Sequence, residues 1–118
     1  YKLYVTHFWL QVKGPSLPAK IAPIVLDQAI NQGVGAARKD LREALGLVPR
    51  AQALTPEVIF EARRQDPAKV IKRLFQLRLT RYKMSRGWDR FGKGWKNRLK
   101  RLAVFLKIKP LDLPLDLQ

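Results

Sequence analysis

The spacing of apolar and polar positions changes several times along this chain, and each change marks an element. In residues 2–11, Leu3, Val5 and Trp9 alternate with Tyr4, Thr6 and Phe8. Such alternation, in a run rich in aromatic and β-branched side chains, predicts a strand over Lys2 to Gln11. Both of its faces carry apolar groups, which suits a central strand. Lys13-Gly14-Pro15-Ser16 is turn punctuation. Ser16 can then cap a helix whose first turn holds Pro18, with Ile21, Val25, Leu26, Ala29 and Ile30 on one face. Asn31 to Gly35 interrupts it. From Ala36 a second helical run places Ala37, Leu41, Ala44 and Leu45 in phase, and Gly46 is positioned as its left-handed terminator. Pro49 blocks continuation, and a short strand is expected over Val48 to Leu54.

Thr55-Pro56 and Asp66-Pro67 are helix entries, and Glu57 sits near the positive end of the first helix dipole. From Pro67 to about Lys83, Val70, Ile71, Leu74, Phe75 and Leu77 or Arg78 form an apolar stripe, with Lys69, Lys72, Arg73 and Arg81 on the other face. Ser85 to Gly94 reads as a loop, Trp95 to about Val104 as a short basic helix, and Phe105, Ile108 and Leu111 as a closing strand. The tail from Asp112 to Gln118 reads as extended.

Composition narrows the chemistry. The 118 residues make one domain and, at 47 % hydrophobic, a folded one. There is no cysteine, which excludes disulfides, thiolate zinc sites and thiol nucleophiles. His7 is the single histidine and reads as a half-buried sheet residue, so no metal site and no cofactor is expected. Glu57 and Glu61 lie one helical turn apart, without a nucleophile, and Gly33-Val34-Gly35 is too short for a dinucleotide fingerprint. No enzyme and no small-molecule substrate is expected. The longest apolar run, Ile21 to Ile30, is broken by Pro23 and Asp27, so no membrane span is expected. The first residue, Tyr1, is read as a sign of processing or of a fragment.

Charge changes the picture most. Twenty-four basic against nine acidic residues give a net charge of +15. Residues 1–60 hold seven basic and four acidic residues, and residues 61–118 hold seventeen and five. A density of that kind repels itself until a polyanion neutralises it, nucleic acid being the commonest and an anionic membrane surface the other. The segment from Arg86 to Arg98 interleaves Arg86, Arg90, Lys93 and Lys96 with Trp88, Phe91, Trp95 and three glycines. Arginine pairs with phosphate, and an exposed indole can stack on a base. The expected RNA contacts are Arg86, Trp88, Arg90, Lys93, Lys96, Arg98, Lys100 and Arg101, with Lys69, Lys72, Arg73 and Arg81 as a second phosphate rail.

Three pieces of the chain resemble ribosomal protein L-thirty of the large subunit, in its mitochondrial form: Lys2-Leu3-Tyr4-Val5-Thr6, Leu45-Gly46-Leu47 at a helix end, and the run from Arg98 to Leu111 with its Lys-Pro-Leu continuation. The resemblance implies an α+β fold: a small ferredoxin-like β-α-β-α-β sandwich over a three-stranded antiparallel sheet, here expanded by extra helices at about 15–35 and 55–85. It also implies a structural, non-catalytic, rRNA-binding role among neighbouring ribosomal proteins in the mitochondrial matrix. The alternative is a basic accessory subunit of a respiratory or ATP-synthase complex that contacts anionic lipid.

Overall fold

The computed structural model describes residues 2–118, with side chains from Val5 onward. Among the described residues there are six α-helices and no strand: α1 (Lys2–Gln11), α2 (Ala22–Gln32), α3 (Val34–Ala44), α4 (Pro56–Arg64), α5 (Pro67–Lys83) and α6 (Trp88–Phe105). Short 3-10 turns lie at Gly14–Ser16, Pro110–Asp112 and Leu115–Leu117. The expected three-stranded sandwich is therefore overturned, and with no sheet to expand, residues 15–35 and 55–85 supply α2, α4 and α5.

Each missing strand has a local explanation. In residues 2–11 apolar groups occupy odd and even positions alike, so alternation competes with a helical stripe. The helical stripe wins: Val5, Phe8 and Trp9 are half-buried and Val12 is buried, at i, i+3, i+4 and i+7, while Thr6, His7 and Leu10 face out. Residues 48–53 form no ladder because arginine side chains take their carbonyls. Buried Arg42 donates to the carbonyls of Arg50 (2.5 Å), Gln52 (2.7 Å) and Ala53 (2.8 Å), and Arg38 donates to that of Ala51 (3.2 Å). Burial, then the charges of Arg38 and Arg50, depress the Arg42 pKa. The closing strand is absent because the chain leaves α6 at Phe105 through a turn with Lys107 left-handed and then enters the 3-10 turn Pro110–Asp112.

α6 ends in a Schellman motif, with Ile108 N–H donating to Ala103 O (2.9 Å) and Lys107 N–H to Val104 O (3.0 Å). α3 ends the same way, through Leu47 to Arg42 (2.8 Å) and Gly46 to Glu43 (3.0 Å). The left-handed residue of the α3 motif is Gly46 (φ 81°), as its sequence position suggests, but that of α6 is Lys107 (φ 57°). A lysine bears the Cβ strain there. Lys107→Gly should raise stability by about 0.5–1 kcal/mol, read as a higher urea midpoint at unchanged slope.

α5 is the central helix and packs on α2, α3 and α6. Asp66 caps it, its Oδ1 accepting from Ala68 N–H at 3.1 Å. Its buried stripe is Val70, Ile71, Leu74, Phe75, Arg78, Leu79 and Tyr82. α2 packs on α1 and α3. Its inner face is Ile21, Ile24, Val25, Gln28 and Ala29, whereas Leu26 is half-buried and Ile30 exposed. A radius of gyration of 13.5 Å matches a single packed body of this length.

Candidate functional site

The segment expected as a glycine loop from Ser85 to Gly94 is helical from Trp88. Two glycines inside α6 should weaken it, but one of them is required by packing. Gly92 is buried under the indole of Trp88, and a Cβ there would lie 2.7 Å from the ring. Trp88, Phe91 and Trp95 then recur at helical spacing on the first turns of α6. Trp95 stacks on Tyr82 of α5 (4.9 Å between centroids), with Phe91 at 6.0 Å and Trp88 at 6.4 Å from it. The Tyr82 hydroxyl in turn donates to Asn31 Oδ1 on α2. Trp95 is thus a packing residue, Trp88 is half-buried and Phe91 is half-exposed.

This anchoring sets the face that α6 shows to solvent. Gly92, Leu99 and Ala103 point inward. Arg90, Lys93, Lys100 and Arg101 are exposed, Lys96 is half-buried, and exposed Arg86 precedes the helix. None of these six cations forms an ion pair among the described residues. Trp88, Gly92, Lys93, Lys96, Asn97 and Lys100, with Asp89, line a shallow groove of about 490 Å³. At ~1.5 Å rise per residue, Lys93 to Lys100 span roughly 10 Å of one helix face. The guanidinium of Arg90 lies 5.3 Å from the Phe91 ring centroid.

Three of the remaining expected contacts, Arg81, Arg73 and Arg98, have other duties. Arg81 makes a bidentate pair with buried Asp40 (2.8 and 2.7 Å), which raises its pKa, and Gln28 also donates to Asp40 (2.6 Å). Arg73 donates to the carbonyl of Ala44 (3.0 Å) and Arg98 reaches Asp27 (3.3 Å). On α5, Lys69 and Lys72 stay exposed without an ion pair among the described residues, on a different helix from the groove. Sequence reasoning missed a polar seam joining α2, α3, α5 and α6. Its centre is Arg78, wholly buried, whose Nη1 lies 2.9 Å from Asp27 Oδ2. That approach is an ion pair without hydrogen-bond angles, so the Arg78 donors find no protein acceptor among the described residues. The signal was present: Gln28 and Arg78 fall on apolar stripes of their helices.

Among the described residues no group of three metal-ligating side chains comes together, and no helix is long and apolar enough to cross a membrane. The fold and face define a small helical module with one strongly cationic helix. Neither protein-family models nor curated proteins give a match. Among solved structures the chain is similar to SagA of Brucella abortus, at 27 % sequence identity and a TM-score of 0.77 over 88 % of this chain. It spans 61 % of the length of that SagA chain.

Proposed function

We propose that this chain is a SagA-like helical module that binds an extended polyanion along α6. One observation carries the reading: Arg86, Arg90, Lys93, Lys96, Lys100 and Arg101 crowd one helix and its entry, and none forms an ion pair among the described residues, Asp116 lying near Lys96 but pairing with Lys83. Unpaired like charges at this spacing work against folding, and an anionic polymer relieves them by releasing its own counterions. RNA is one such polymer. The ribosomal placement rests on paired outer strands, where the structure has α1 and the turns after α6, so only its polyanion component is carried forward.

A second reading has its own support. Val104 and Phe105 are 78 % and 82 % exposed at the end of α6, between Lys100, Arg101, Lys107 and Lys109. Apolar side chains ringed by lysine and arginine suit the surface of an anionic bilayer. Binding to heparin and to single-stranded RNA, titrated over a range of salt, separates the two. Polyanion binding predicts a linear fall of log affinity with log salt, with a slope of about −0.7 per neutralised phosphate for single strands. Binding to anionic vesicles but not to either polymer would favour the lipid surface.

A further inference from the structure

An open cavity of about 710 Å³ shares no lining residue with the α6 groove. It lies between the turn after α1 and the length of α4. Its apolar wall is Leu54, Pro56, Ile59 and Phe60. Phe60 is 62 % exposed, an aromatic ring left open where the neighbouring Leu54 is buried. The polar lining is Ser16, Thr55 and the cations Lys13, Arg63 and Arg64.

These cations are not equivalent. Arg64 is held by Glu61 at 2.7 Å, so its charge is met. The Nε of Arg63 donates to the carbonyl of Ser16 (3.0 Å), which ties the turn to α4 while its outer nitrogens make no hydrogen bond among the described residues. Lys13 has neither an ion pair nor a side-chain hydrogen bond among them, and its backbone is left-handed (φ 55°). The lining therefore combines an apolar wall with two cations that form no ion pair among the described residues.

We propose that this cavity binds a single small amphiphile, an anionic head on an apolar tail, with the head at Lys13 and Arg63 and the tail along Ile59 and Phe60. Volume, apolar wall and charge agree: the size falls within the roughly 300–1,000 Å³ of ordinary ligand sites, and the apolar wall is bordered by cations. A tail without a head leaves the cations unmet, and a head without a tail leaves Phe60 in water.

The probe is decanoate, titrated below its micelle concentration and followed by amide chemical shifts. The expected result is saturable one-to-one binding with shifts centred on Leu54, Ile59 and Phe60. Acetate should leave those shifts unmoved, and decanol should bind at least about fivefold more weakly, the difference a charge-assisted contact makes. Lys13→Asn keeps a residue tolerant of the left-handed backbone and removes the charge; it should weaken decanoate about fivefold to tenfold, as should Phe60→Ser. Both positions are exposed, so the fold should survive, and unchanged amide spectra elsewhere check it. Charge reversal on α6 should leave decanoate binding as it was, which keeps this site separate from the polyanion reading. Shifts that never saturate, decanol binding as tightly as decanoate, or wild-type affinity in Lys13→Asn would each overturn the proposal.

Discussion

Asp27→Ala should destabilise this fold far more than Arg78→Met, although the two residues form one pair. Arg78 is wholly buried and Asp27 is its only ion-pair partner among the described residues. Removing Asp27 leaves a cation in the core with no counter-charge, a loss of about 3–5 kcal/mol for a broken buried pair. Removing Arg78 leaves Asp27, whose side chain is 26 % exposed and still faces Arg98 at 3.3 Å. Methionine fills most of the arginine volume on the stripe between Leu74 and Tyr82, so its loss should stay within about 1–2 kcal/mol. Urea denaturation of both variants at matched salt reads the asymmetry. Equal midpoints would mean that the guanidinium is already satisfied by water in the native protein.

Reversing Arg90, Lys93 and Lys100 together to glutamate should reduce affinity for heparin or single-stranded RNA by about 10²–10³-fold at low salt and flatten the salt dependence by about two units of slope, three phosphate contacts at ~0.7 each. All three side chains are exposed and free of ion pairs among the described residues. Glutamate at position 90, in the first turn of α6, also suits its dipole, and helicity should persist, which circular dichroism checks. The same reversal at Lys69 and Lys72, away from the groove, should cost markedly less. An unchanged slope in the triple variant would take α6 out of the interface.

How much of this was legible beforehand differs by element. The α5 boundaries, its Asp66-Pro67 entry and its Val70, Ile71, Leu74, Phe75 stripe could be read directly, because the helical period is unbroken over several turns and a cap precedes it. Gly46 was legible for the same reason: a glycine just past an amphipathic run has one common use. The fold class was not. Residues 2–11 carry aromatic groups in both parities, and only packing decides between a pleat and a helical stripe. The start of α6 was hidden because Gly92 and Gly94 read as loop, whereas Gly92 makes room for the Trp88 indole. Charge identified α6 as cationic, yet it could not separate Arg73, Arg81 and Arg98, occupied by Ala44, Asp40 and Asp27, from lysines that face open water. That distinction is tertiary: it depends on which carboxylate or carbonyl lies opposite.

The stretch between α3 and α4 is exposed and irregular, the kind of place where a tag or new chain ends are ordinarily grafted. Here the graft would reach the interior. Arg38 and Arg42, one turn apart on α3, hold that stretch by its carbonyls, and Arg42 is itself buried. An added residue between Arg50 and Ala53 would shift those oxygens and strand a charge inside the protein. In this molecule the apparent freedom of a surface connection is set by a helix side chain beneath it.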